Sequence, residues 1–82
     1  MHYYYCGGKA LDSIDKVFDA FIETCYKLDL IIKSENRQYY IIELENKIFI
    51  TFKQKLNNVL VEIYDFSNQG SKYYNGIIDS FF

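Results

Sequence analysis

Few residues in this chain are equipped for chemistry. His2 is the single histidine, and Cys6 and Cys25 are the two thiols. A cysteine nucleophile needs a histidine within hydrogen-bond reach and a third group to orient it. Local spacing brings neither cysteine to His2, and no orienting group stands beside either. A zinc site takes three or four Cys/His ligands, and these three residues are the whole supply. Gly7-Gly8-Lys9 precedes a helical pattern, where backbone amides can meet an anion. It lacks the spacing of a phosphate loop and reads as a plain strand-to-helix turn. Glu43 and Glu45 lie two apart, so on a strand they share a face. Carboxylates that close raise each other's pKa, which acid–base chemistry exploits. Nothing marks a cleft beside them, and they read as the wet side of a strand. The expectation is therefore no catalytic residue, no metal and no cofactor.

The elements that must position any site are clearer. Ile14, Val17, Phe18, Phe21, Ile22, Cys25 and Leu28 recur at three- and four-residue spacing, which places them on one face of a long helix. Asp12 or Ser13 offers its N-cap oxygen. Phe18, Phe21 and Ile22 should sit at the centre of the core. Before the helix, His2 to Cys6 reads as a tyrosine-rich strand broken by Gly7-Gly8. After it come four strand signals: Leu30 to Ser34, Gln38 to Glu45, Ile48 to Phe52 and Val59 to Phe66. The turns between them are Glu35-Asn36-Arg37, Asn46-Lys47 and Gln54 to Asn58. Tyr74, Ile77, Ile78 and Phe81 return to helical spacing at the C-terminus. The order is β-α-β-β-β-β-α. This predicts an α+β fold for residues 1–82 as one domain. The arrangement would be a two-layer sandwich, with an antiparallel sheet of four to five strands and one long and one short helix.

Composition narrows the function classes. Half of the 82 residues are hydrophobic and a fifth aromatic, which argues against disorder. The net charge of −2 argues against general nucleic-acid binding, which needs a basic surplus. Basic residues do gather locally, and Lys47, Lys53 and Lys55 form the one candidate basic hairpin contact. Two cysteines make no disulfide scaffold, and no apolar run reaches the length of a membrane span. Polar residues and glycines interrupt the N-terminus, so no signal peptide is read and a cytoplasmic protein is expected. Ile, Lys, Asn and Tyr are abundant while proline and tryptophan are absent. That mix suits an AT-rich genome such as a low-GC bacterium or its phage, and a phage product would act in the host cytoplasm.

The nine tyrosines are the unusual feature. Neighbours on a strand point to opposite faces, so adjacent pairs such as Tyr39-Tyr40 force one ring outward. With Tyr40, Ile42 and Leu44 turned to the core, Tyr39 and Ile41 look out, as does Phe49. Glu43, Thr51 and Lys53 then form a polar rim. An apolar centre with a polar rim is the anatomy of an interface. Tyr39, Ile41, Phe49, Thr51 and Lys53 are thus the expected protein-binding set. A foreign protein, a second copy forming a homodimer, or the second helix would cover that outer face.

The element order also resembles the small bacterial form of S-adenosylmethionine decarboxylase. A strand ending in Tyr5-Cys6-Gly7 is followed by a long helix, a run of hairpins and a final helix. In that family a Glu-Ser-His step is cut to make a pyruvoyl cofactor. The matching positions are Glu45-Asn46-Lys47, followed by Ile48-Phe49-Ile50-Thr51. Asn46 stands where the family has its serine, and Thr51 where it has a histidine. Phe66, after Val61-Glu62-Ile63, stands for its later cysteine. The stretch between the second and third strands is shorter. The resemblance implies a scaffold without the hydroxyl needed for self-cleavage, so an uncut chain and no decarboxylation by that route. It also implies a degenerate nucleoside binder as an alternative. The leading expectation is a non-enzymatic protein-binding inhibitor, of the kind phages and mobile elements direct at CRISPR and other host defence complexes.

Overall fold

α1 (Ile14–Lys27) begins at Ser13, whose hydroxyl accepts the backbone N–H of Lys16 at 3.3 Å. It ends in a Schellman motif. Asp29 takes a left-handed φ of 57°, its N–H donates to the Tyr26 carbonyl, and the N–H of Leu30 donates to that of Cys25. The computed structural model describes residues 13–45, 47–56 and 58–67, and the backbone course alone for residues 2–10. The expected C-terminal helix and the alternative cap Asp12 lie outside the described residues.

The fold is α+β, with one helix among the described residues and an antiparallel sheet. Its strands are β1 (His2–Ala10), β2 (Ile32–Asn36), β3 (Ile41–Leu44), β4 (Ile48–Lys55) and β5 (Asn58–Asp65). They lie in the order β1-β5-β4-β3-β2. Ile42, Ile50 and Ile63 are directly opposed across β3, β4 and β5, as are Phe52 and Val61 across β4 and β5. Opposed residues share a face, and this face meets α1. Val17, Phe18, Phe21, Ile22 and Cys25 of the helix join Ile42, Leu44, Ile48, Ile50, Phe52, Val59, Val61 and Ile63 in one buried cluster. The rings of Phe18 and Phe21 meet Phe52 edge-on, at 5.2 and 5.4 Å between centroids. The expected core centre, Phe18, Phe21 and Ile22, is buried.

Several boundaries differ from the sequence reading. Gly7-Gly8 does not break the first strand. β1 runs on to Ala10, and its register against β5 slips by one residue between Tyr5 and Gly8. A bulge accommodates the extra residue, and glycine tolerates the backbone it needs. β3 starts at Ile41 rather than Gln38, because Asn36 folds residues 37–40 into a turn. The Asn36 Oδ1 accepts the backbone N–H groups of Gln38 and Tyr39, both at 2.9 Å. β4 extends to Lys55, which shortens the expected Gln54 to Asn58 connection to Leu56 and residue 57. β2 is bulged between Ile32 and Ser34, and ends the sheet on the side away from β1.

Cys25 is fully buried, and burial pushes its thiol up from 9.0 to about 12. In a Cys6→Ser background, native protein at pH 8 should resist iodoacetamide and label rapidly only when urea unfolds it. Labelling of the native protein at the unfolded rate would place Cys25 outside the core. The raised value leaves the thiol's contribution to stability intact below about pH 9, and that contribution fades as pH climbs toward 12.

Candidate protein interface

The five expected interface residues divide between two places. Ile41, Thr51 and Phe49 lie on the sheet face turned away from α1. Ile41 opposes Thr51 and Glu43 opposes Phe49 across β3 and β4, while Phe49 opposes Tyr64 and Thr51 opposes Glu62 across β4 and β5. Ile41, Phe49 and Thr51 are half-buried there. The Thr51 hydroxyl is shut off from solvent without a hydrogen-bond partner. Glu62 is buried as well. Its carboxylate accepts the Tyr64 hydroxyl at 3.4 Å and meets the Lys53 Nζ at 3.7 Å.

Tyr39 does not share that face. The turn set by Asn36 and the left-handed Tyr40 (φ 56°) break the strand alternation before Ile41. Tyr39 instead stands at the tip of the β2–β3 hairpin, 65% exposed. Its neighbours are held firmly. Tyr40 donates its hydroxyl to Asp15 at 2.9 Å and meets the Phe18 ring edge-on. Arg37 donates to Asp19 at 2.7 Å, and its guanidinium lies 4.9 Å from the Phe18 ring centroid. The hydrogen bond to Asp15 raises the Tyr40 pKa, and that to Asp19 raises the Arg37 pKa. These contacts pin the β2–β3 tip to the first two turns of α1.

At the same end of the sheet, β4 and β5 run past the β3 ladder. Lys53 pairs with Leu60, Gln54 with Val59 and Lys55 with Asn58, all beyond the last β3–β4 pair at Thr51. Two-residue hairpin loops need positive φ and favour asparagine or glycine. Here Leu56 takes that position at φ 47°, and it is 99% exposed. The Gln54 side-chain amide braces the loop by donating to the carbonyls of Leu56 and Asn58, at 3.4 and 3.2 Å. A leucine in this conformation strains the backbone and gains nothing from the fold. Leu56→Asn should raise stability by about 0.5–1 kcal/mol, since asparagine tolerates the left-handed region far better. Urea melts will measure it, and a loss of stability would mean Leu56 packs in the native state.

The basic hairpin set does not assemble. Lys53 and Lys55 lie near the Leu56 tip, but Lys47 precedes β4 at its opposite end, with eight strand residues between the two turns. At about 3.4 Å per residue, that separation is roughly 25 Å. Lys53 is also committed to Glu62. Asn46 lies outside the described residues.

No family model, curated protein or solved structure matches this chain. Its surface must therefore be read by itself. Among the described residues, no group of three or more His, Cys, Asp or Glu side chains is placed to hold a metal ion. No helix among them is long and apolar enough to cross a membrane. An open concavity beside β2 is lined by Tyr26, Leu30, Ile31, Lys33 and Glu35. Its exposed apolar members, Tyr26 and Ile31, flank a bulged, charged strand. The hairpin end differs, because Leu56 and Tyr39 top two braced turns. Sequence reasoning missed Leu56. The signal was present: a lone apolar residue inside the polar run Lys53-Gln54-Lys55-Leu56-Asn57-Asn58.

Proposed function

We propose that this chain is a non-enzymatic binding domain that acts by occupying the surface of a protein partner through its hairpin end. One observation carries the reading. Leu56 is almost wholly exposed on a left-handed turn that would fold better with asparagine or glycine. Strain kept where the fold does not use it points to function. Leu56 and Tyr39 are the apolar anchors, and Lys55 beside Leu56 supplies a cation at the rim. The partner surface that fits is an apolar pocket bordered by carboxylates. Blocking such a surface is how a phage- or mobile-element-encoded inhibitor would silence a host defence complex.

Site-specific photo-cross-linking in cells tests this. A photoreactive residue at position 56 or 39 should give one discrete protein adduct that excess unlabelled chain competes away. The same residue at position 27, on the far end of α1, should not. No adduct at the tips, or equal adducts at all three positions, would overturn the proposal.

A further inference from the structure

β4 outruns its neighbour β3 at the hairpin end. The Phe52 N–H donates to the Tyr40 carbonyl at 3.1 Å, and beyond it Lys53, Gln54 and Lys55 continue, exposed and without a β3 partner. The other side of β4 is covered to its tip. β5 pairs with β4 out to Asn58, and β1 pairs with β5 as far as the same residue. Backbone groups of an antiparallel strand turn alternately to one neighbour and the other. The Phe52 N–H is spent on β3, so the backbones of Lys53 and Lys55 turn to β5 and that of Gln54 turns to the lane β3 leaves empty. The bond from the Phe66 N–H to the Lys47 carbonyl sets the same alternation, with odd-numbered residues of β4 meeting β5. Among the described residues no strand meets the Gln54 N–H and carbonyl. An unpaired edge of this kind is a template for an incoming strand.

Charge selects the occupant. A second copy using the same edge would pair Gln54 with Gln54 about a two-fold axis. That sets Lys53 opposite Lys55 twice, and like charges directly opposed repel. A strand with carboxylates at those two positions meets both ammonium groups instead. Lys55 enters none of the described ion pairs, and the Lys53 side chain, although 3.7 Å from Glu62, is still 59% exposed. We propose that the free edge of β4 at Gln54 is a strand-addition site for an extended acidic segment of a protein partner, with carboxylates two residues apart facing Lys53 and Lys55. This rests on the hairpin-end interface proposed above and states how the partner is held there. The segment lies in line with β3, between the Tyr39 turn and Leu56. Phe52 to Lys55 measure about 10 Å, enough for a short extended stretch.

The probe is a fluorescein-labelled peptide alternating glutamate with valine, and its control alternates lysine with valine. Anisotropy reads their binding to the full-length protein. The acidic peptide should saturate, and weaken as salt rises, while the basic one should not bind. Gln54→Pro removes an N–H that the fold does not use, and Gln54→Ala removes the same side chain but keeps that N–H. The proline variant should bind the acidic peptide about tenfold more weakly than the alanine variant. A urea melt checks that the proline variant folds. If it does not, Lys55→Glu, at an exposed site, should erase the preference for the acidic peptide. Equal binding of both peptides, binding of neither, or a proline variant that behaves like the alanine one would overturn the proposal. Self-association of the chain that Gln54→Pro abolishes would give the edge to a second copy, and overturns it too. Cross-linking from position 56 separates this proposal from the interface beneath it. Adducts that Gln54→Pro leaves unchanged would keep the hairpin-end interface and remove strand addition, whereas no adduct at either tip would remove both.

Discussion

Phe21→Ala should cost about 3–5 kcal/mol, at least about a quarter of the chain's whole stability. Phe21 is fully buried, and its ring meets Phe52 edge-on in the middle of the cluster between α1 and the sheet. Truncation removes the ring's transfer energy and leaves a cavity. Its neighbours cannot close that cavity without dragging the helix toward β4. The margin is small. At roughly 0.05–0.15 kcal/mol per residue, a chain of this length holds about 4–12 kcal/mol in total. Urea denaturation followed by circular dichroism measures the loss. A cooperative transition displaced by less than about 1 kcal/mol would show that the packing around Phe21 is looser than the ring geometry states.

The second large effect is on binding rather than folding. Tyr39→Ser with Leu56→Asn should weaken partner binding by at least about a hundredfold, since two anchor residues commonly contribute about 2 kcal/mol each. The folded monomer should survive. Both side chains are largely exposed, and relief of the left-handed leucine offsets any loss at Tyr39. Titration against the partner captured at position 56, alongside a urea melt, reads both quantities. Retained affinity would remove the hairpin end as the interface. Lost affinity accompanied by unfolding would mean that Tyr39 is structural.

What the sequence discloses, and what it hides, follows from the kind of force involved. The stripe from Val17 to Cys25 and the alternations Ile42-Leu44, Ile48-Ile50-Phe52 and Val59-Val61-Ile63 predict the core. All of these residues are buried in one cluster. Burial repeats with the period of the element, so it leaves a pattern. Turns leave none of that regularity. Asn36 recruits two amides and moves the start of β3 to Ile41, which takes Tyr39 off the face that alternation assigned to it. Lys47 looked like a neighbour of Lys53 and Lys55 in the chain, but an unbroken strand separates them. The Arg37–Asp19 and Tyr40–Asp15 contacts join residues 18 and 25 apart, and no local spacing announces them. Leu56 was visible only as a residue out of keeping with its surroundings.

The bulge in β2 bears on how this chain behaves when crowded. Lys33 Nζ lies 3.4 Å from Glu43, and the Ser34 hydroxyl donates to the same carboxylate. The bulge between Ile32 and Ser34 thus directs two consecutive side chains to one carboxylate and interrupts the regular backbone spacing at the rim of the sheet. A flat rim strand invites copies of itself to stack into fibres, and a kinked, charged one does not. A chain that is half hydrophobic and crowded with aromatic rings is exposed to that hazard whenever it is made in quantity. A rim strand kinked and charged at Lys33 is a poor template for that growth.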